Sequence, residues 1–98
     1  MPILVNNKKE FIRLTDERYS HIENDHPEMK GQLLRMEETL TAPETVEVSK
    51  SDSSVELYYR FYSKTPVTSK YMCVVVKSNG EDKFIITSYF TDKIKKGK

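Results

Sequence analysis

Residues 71–90 constrain the fold of this chain more than any other stretch. Residues 71–77 are rich in valine, whose β-branched side chain favours strands, and residues 83–90 alternate between two faces. Asn79 and Gly80 lie between the two runs, and this dipeptide is a strong signal for a tight hairpin turn. The stretch therefore predicts two antiparallel strands. The first should be central in a sheet, because it is almost uniformly apolar.

The chain before this hairpin changes its period from helical to alternating near Glu44. Thr15 is a suitable N-cap for a first helix, which Pro27 limits because the residue before a proline avoids helical angles. A second helix is predicted to start at Pro27 and to stop by Ala42. Its apolar stripe has four members at helical spacing, namely Met29, Leu33, Met36 and Leu40.

Residues 46–48 and 55–62 alternate with a period of two, which predicts further strands. The predicted fold is α+β, with two N-terminal helices packed on an antiparallel meander sheet of three to five strands. A chain of 98 residues provides one core, so residues 1–98 are expected to form a single domain.

The charge of the chain is divided unevenly between its halves. Residues 1–50 hold seven Lys and Arg against ten Asp and Glu (−3), whereas residues 51–98 hold nine against five (+4). The basic half could meet an anion, and a solvated tail at 92–98 is the alternative. Cys73 is the only cysteine, and no apolar run has the length of a membrane span or signal sequence. We therefore expect a cytoplasmic protein without a disulfide framework or a membrane partner.

Both histidines lie near the predicted end of the first helix. His21 and His26 are five positions apart, and Arg18 precedes them. An imidazole can take a proton from a ribose hydroxyl and a guanidinium can hold a phosphate, so this group suits phosphodiester chemistry. The alternative is that His26 caps a helix and His21 lies on the surface. Two histidines five positions apart, with no cysteine nearby, make a poor metal site, so we expect neither a metal nor a cofactor.

Two strand faces carry further candidates. Tyr58 and Arg60 would place an aromatic ring beside a cation, as nucleic-acid platforms do, if their face lined a groove. Thr87 and Tyr89 offer hydroxyl groups on the last strand, near Lys77 on the preceding strand. The alternatives are a solvated sheet face for the first group and ordinary strand-forming residues for the second.

Several short motifs, taken in order, resemble a known family. Residues 18–22 (RYSHI) and 26–28 (HPE) resemble the R-W-x-H-I-x-x-x-H-P-E opening of small phage- and toxin-associated proteins. Residues 71–77 resemble their Y-x-x-V-V-V-K strand, and residues 84–89 resemble an F-I-I-T-A-Y pattern. These proteins belong to the barnase–EndoU–colicin–RelE-like (BECR) nuclease group. The resemblance implies helices followed by a curved antiparallel sheet, and metal-independent cleavage of RNA.

The resemblance also implies a role for each matching residue. His21 would be the acid and base in an attack of a ribose 2′-hydroxyl on its own 3′-phosphate. The other implied site residues support that group (Arg18, His26), neutralise the phosphate (Arg60, Lys77), contact the scissile group (Thr87, Tyr89) or bind the substrate (Tyr58). RNA is the implied substrate, and an antitoxin or immunity protein is the implied partner. The alternative is a non-catalytic RNA- or protein-binding module of the same fold.

Overall fold

The computed structural model describes residues 3–96. The end of the basic segment predicted at 92–98 lies outside the described residues. The strands are β1 (Ile3–Val5), β2 (Phe11–Arg13), β3 (Thr45–Val48), β4 (Val55–Tyr62), β5 (Lys70–Asn79) and β6 (Asp82–Thr91). The helices are α1 (Asp16–Asp25) and α2 (Leu33–Thr41), with a 3-10 helix (Pro27–Met29) between them.

The strands of the described residues form one sheet in the order β1-β2-β6-β5-β4-β3. Neighbouring strands are antiparallel except β2 and β6, which run parallel and pair at Arg13 and Phe84. The α+β class is confirmed. The predicted antiparallel meander of three to five strands is corrected, because β1 and β2 join the sheet and make it mixed. Each has only three residues, too few for an alternating pattern to be recognised in the sequence.

Helix α1 begins and ends where the sequence predicts. The hydroxyl of Thr15 accepts a hydrogen bond from the backbone N–H of Arg18 at 3.0 Å, which satisfies one free donor of the first turn. The helix ends at Asp25, two residues before Pro27. Ile22 is buried and packs this helix against the sheet.

The predicted second helix is interrupted near its start. Its first turn is the 3-10 helix, and Gly31 then takes a left-handed backbone conformation (φ +76°) before α2 begins. The apolar stripe is confirmed, since Met29, Met36 and Leu40 are fully buried. Neither helix of the described residues is long and apolar enough to cross a membrane.

The sheet buries side chains on both faces, and the helices cover one of them. The core on the helix-covered face consists of Leu4, Ile12, Leu14, Ile22, Met29, Met36, Leu40, Tyr58, Met72, Val74, Val76, Ile85 and Phe90. A second cluster of Tyr59, Cys73 and Val75 alternates with these residues along β4 and β5, so it lies on the opposite face. We call this opposite face the helix-free face.

The segment after β6 lies against the helix-free face. Ile94 packs on the second cluster, and the backbone N–H of Lys95 donates a hydrogen bond to the hydroxyl of Tyr59 at 3.1 Å. Cys73 is fully buried beneath this layer, as predicted. Burial raises the pKa of its thiol to about 11, so the thiol stays protonated near neutral pH and is a poor nucleophile.

A β-bulge interrupts strand β6. Val75 pairs with Thr87 whereas Val76 pairs with Ile85, so Ile86 is an extra residue on this strand. The strict alternation predicted for residues 83–90 is therefore wrong at this point. Ile85 joins the helix-covered core, and Ile86 packs against the second cluster.

We expect the domain to lose stability in alkaline solution. Burial is the main cause that raises the pKa of both Tyr59 and Tyr62 from 10.0 to about 12. The stabilisation that these groups give is therefore complete below pH 10.0 and is lost as the pH rises through about 12. Urea unfolding followed from about pH 8 to about pH 12 should show a falling free energy of unfolding. The free energy of unfolding of Tyr62→Phe should fall less than that of the wild type over this pH range. A wild-type free energy of unfolding that stays constant would contradict the prediction.

Candidate functional site

The predicted site residues are divided among four places in the fold. They lie on the exposed surface of α1 (Arg18, His21), at its C-terminal end (His26), on the helix-covered face (Tyr58, Arg60) and on the helix-free face (Lys77, Thr87, Tyr89). The first group is separated from the last by the sheet and its core.

His21 points to solvent. Its side chain is 57% exposed, and its Nε2 lies 3.8 Å from a carboxylate oxygen of Glu17, one turn earlier on α1. Within residues 3–96, no hydrogen bond or ring contact joins His21 to Thr87 or Tyr89. Arg18 is exposed on the same helix. The structure therefore does not bring the predicted acid–base group together with the hydroxyl groups of the last strand.

His26 is the histidine that meets the last strand. Its ring centroid lies 5.6 Å from that of Tyr89, with an angle of 35° between the ring planes. Its Nδ1 lies 3.8 Å from a carboxylate oxygen of Glu28, and its side chain is 35% exposed. An imidazole, a phenol and a carboxylate thus come together where the sequence suggested only a supporting role for His26.

The path of the chain after α1 explains this contact. β2 pairs with β6 only at Phe84, so β2 leaves the later half of β6 unpaired on that side in the described part of the chain. The 3-10 helix passes along this half of the strand, and the fully buried Met29 fixes it to the core. Pro27 ends α1 at this position, which sends His26 toward the strand instead of continuing the helix.

Tyr89 lies in an environment that keeps its hydroxyl protonated. Burial raises the pKa of this phenol well above its usual range, and the neighbouring Cys73 raises it further. The two residues pair across β5 and β6. A phenol that is neutral at physiological pH can donate a hydrogen bond to an anion, and Thr87 offers a second hydroxyl on the same side of the strand.

Tyr58 and Arg60 lie on the helix-covered face of β4, and the burial of Tyr58 means that they do not form the exposed aromatic–cation platform that the sequence suggested. Tyr58 is 2% exposed within the helix-covered core, where its hydroxyl accepts a hydrogen bond from Nδ2 of Asn6 at 3.1 Å. Arg60 donates to the carbonyl of Ala42 at 2.8 Å, and its Nε lies 3.6 Å from Glu38. Tyr58 and Tyr59, neighbours on opposite faces of β4, are both buried, so the alternating pattern did not indicate which face the helices cover.

Lys77 lies at the end of the helix-free face and is paired with an acidic residue. Its Nζ is 3.1 Å from a carboxylate oxygen of Asp52, in the loop between β3 and β4. Hydrogen bonds from Ser54 are the main cause that lowers the pKa of Asp52 to about 2, and Lys77 lowers it further. Asp52 is therefore ionised near neutral pH and partly neutralises this lysine.

A pocket of about 430 Å³, which the sequence did not indicate, lies at the edge of the helix-free face. It is lined by Val48, Ser49, Lys50, Ser51, Leu57, Lys95 and Lys96. The serines and Lys50 follow β3, whereas the other lysines come from the segment after β6. The sequence indicated each segment separately, as a turn and as a basic tail. These two segments lie side by side because of the order of the strands in the sheet, and no local sequence pattern shows that order.

Comparison of the chain with known protein families, curated proteins and solved structures found no match in any of the three. No group of three or more His, Cys, Asp or Glu side chains placed to hold a metal ion occurs between residues 3 and 96. The assignment of the site therefore depends on its own geometry.

Proposed function

We propose that the chain is a metal-independent endoribonuclease of the BECR type that cleaves RNA at His26 and Tyr89. The contact between these two rings carries the proposal, because it places the imidazole of His26 next to the phenol ring of Tyr89 on the last strand. Histidine is the side chain whose usual pKa lies nearest neutrality, so it can accept a proton without extensive tuning.

The reaction needs a base, and hydrogen-bond donors for the phosphate. His26 takes the proton of a ribose 2′-hydroxyl, whose oxygen then bonds to the adjacent phosphorus. The bond from phosphorus to the 5′-oxygen breaks, and that oxygen takes a proton from water. The hydroxide that remains takes the proton back from His26 and becomes water again. The products are a 2′,3′-cyclic phosphate and a 5′-hydroxyl. Tyr89 stabilises the transition state by donating a hydrogen bond to a phosphate oxygen, because burial keeps its phenol protonated.

Two neighbours support this arrangement. Glu28 lies 3.8 Å from Nδ1 of His26, where its carboxylate can orient the imidazole. Thr87 lies two residues before Tyr89, so its hydroxyl lies on the same side of the strand and can contact the same phosphate. Neither residue has to change its protonation state during the reaction.

The proposal predicts that the two histidines contribute unequally. His26→Ala should reduce the cleavage rate by at least about 100-fold, since general acid–base groups contribute about 10²–10⁴-fold. Tyr89→Phe should also reduce the rate, whereas the exposed His21→Ala should stay close to wild type. The measurement is cleavage of a labelled RNA in the presence of a chelator, with analysis of the fragments for 2′,3′-cyclic phosphate ends.

His21→Ala is the matched control, because it removes the same kind of ring from a position five residues earlier, on the exposed surface of α1. Full activity of His26→Ala would refute the proposed catalytic pair. A loss confined to His21→Ala would return the acid–base role to the residue that the sequence resemblance implied. Circular dichroism of each variant shows whether the fold is retained.

One observation favours a second candidate, a non-catalytic RNA-binding module. Arg60 and Lys77, the two cations expected to neutralise a phosphate, are instead close to Glu38 and Asp52. The same assay separates the candidates. A module would retain the labelled RNA on the protein and would produce no cyclic-phosphate fragments.

A further inference from the structure

We infer that the pocket lined by Lys50, Lys95 and Lys96 binds a nucleotide unit of single-stranded RNA. The choice of RNA as ligand rests on the proposed function. The pocket itself is a separate site, because none of its lining residues belongs to the pair of His26 and Tyr89.

The charge of the pocket favours an anionic ligand. Within residues 3–96, Lys50, Lys95 and Lys96 form no ion pair, unlike several other lysines of the chain. Asp52 and Asp92, the acidic residues nearest to them in sequence, are each paired with a different lysine. The lining of the pocket therefore carries three positive charges, which outnumber the single carboxylate of Glu47 on the same face and favour an anionic ligand.

Two hydroxyl groups add hydrogen-bonding capacity next to these lysines. The hydroxyl oxygens of Ser49 and Ser51 are 3.2 Å apart, and the backbone N–H of Ser51 donates to Ser49 at 3.3 Å. Serine hydroxyls commonly contact phosphate oxygens alongside lysine. Glu47, the carboxylate of the preceding strand, accepts a hydrogen bond from the hydroxyl of Thr45 at 2.8 Å.

The size and the apolar lining of the pocket favour a nucleotide over a small inorganic ion. Its volume of about 430 Å³ falls in the usual range of small-molecule sites, roughly 300–1,000 Å³. Val48 and Leu57 supply apolar surface that a base or ribose can cover, whereas the lysines and serines are suited to the phosphate.

The basic segment is fixed by the fold without a ligand. The backbone N–H of Lys95 donates to the hydroxyl of Tyr59 at 3.1 Å, and Ile94 packs on the second cluster. Ordering of this segment is therefore largely complete before binding, which reduces the entropic cost of capturing a ligand.

The pocket lies at a distance from the proposed catalytic pair that one RNA strand can span. Tyr89 pairs with Cys73, which pairs with Tyr59 on the next strand, and Tyr59 contacts Lys95. Two strand spacings of about 4.8 Å separate Tyr89 from Tyr59, or about 10 Å. A stacked strand rises by about 3.4 Å per nucleotide, so roughly three nucleotides would reach from Tyr89 to Tyr59, where the basic segment contacts the sheet.

The test is RNA binding by a triple variant, Lys50→Gln with Lys95→Gln and Lys96→Gln, in a His26→Ala background that removes the proposed base. Fluorescence anisotropy with a labelled single-stranded RNA should show a Kd raised by at least about tenfold at low salt. The slope of log affinity against log salt should fall by up to about 2, since each phosphate contact on a single strand contributes about 0.7.

A matched triple variant, with Lys8, Lys30 and Lys64 changed to Gln, removes the same charge from exposed positions elsewhere. It should change the Kd by less than about twofold. Replacing the three pocket lysines with Arg should preserve binding, because the charge is kept. Equal weakening by both Gln triples would overturn the inference, as would no weakening by the pocket triple. Competition by inorganic polyphosphate as effective as by RNA would overturn the nucleotide assignment.

The outcome for the pocket is distinct from the outcome for catalysis. If His26→Ala cleaves RNA as well as wild type, the proposed catalytic pair is wrong. The Kd values of the pocket triple variant and of its parent are then measured with a 2′-O-methyl RNA, which cannot be cleaved by 2′-hydroxyl attack. If the pocket triple binds like its parent, the pocket assignment is wrong whatever the cleavage assay shows.

Discussion

Replacing Tyr59 with alanine is expected to lower the free energy of unfolding by about 3–5 kcal/mol, as for other large aromatic residues removed from a core. Tyr59 is fully buried, and it packs with Cys73 and Val75 in the second cluster. Its removal leaves a cavity and releases the hydrogen bond to Lys95. Because domains of this size are typically stable by about 5–15 kcal/mol, this one change would remove a large share of the total.

Urea unfolding of the wild type and two variants measures this effect. Phe61→Ala is the control, because Phe61 lies on the same strand and face but is 43% exposed, and it should cost about 1 kcal/mol. Tyr59→Phe keeps the ring and should cost about 0.5–1.5 kcal/mol for the lost hydrogen bond. Equal costs for Tyr59→Ala and Phe61→Ala would show that the second cluster does not stabilise the domain.

Asn6→Ala should destabilise the domain by about 2–4 kcal/mol, although the residue lies in a turn. Asn6 is 1% exposed, and its side chain forms hydrogen bonds with four other groups. Its Nδ2 donates to Glu10 at 2.8 Å and to the hydroxyl of Tyr58 at 3.1 Å, and its Oδ1 accepts from the backbone N–H groups of Lys8 and Glu10. Alanine would leave two backbone donors and a buried phenol without these partners.

Asn7→Ala is the matched control for this change, because Asn7 is the next residue in the same turn and is exposed. It should alter the free energy of unfolding by less than about 0.5 kcal/mol. Combining Asn6→Ala with Tyr58→Phe should cost less than the sum of the two single changes, because both remove the same hydrogen bond. Strict additivity would show that the bond between Asn6 and Tyr58 contributes nothing.

The local elements of the fold could be predicted because each has its own signal in the sequence. Thr15 and Pro27 delimit the first helix, and Gly80 takes the positive φ of +65° that the turn between β5 and β6 requires. The three-residue strands β1 and β2 have no such signal. Their place in the sheet depends on the pairing of Arg13 with Phe84, two residues far apart in the sequence.

The candidate site could be predicted only in part, for a similar reason. The sequence identified His26 and Tyr89 separately, but their contact depends on how the 3-10 helix passes β6. The alternation along β4 does not show which face the helices cover, because its aromatic residues Tyr58 and Tyr59 are buried on opposite faces. The bulge at Ile86 likewise follows from packing between two strands and not from the alternation within one.

The central position of β6 affects the order in which the chain can fold. This strand, the last in the described residues, lies between β2 and β5, and the N-terminal strands join the rest of the sheet only through it. During synthesis, the N-terminal strands thus lack their partner until residues 82–91 have left the ribosome, so the sheet is completed only after β6 has been synthesised. Tyr89 belongs to that strand. The contact between His26 and Tyr89 therefore forms only after this strand has been synthesised.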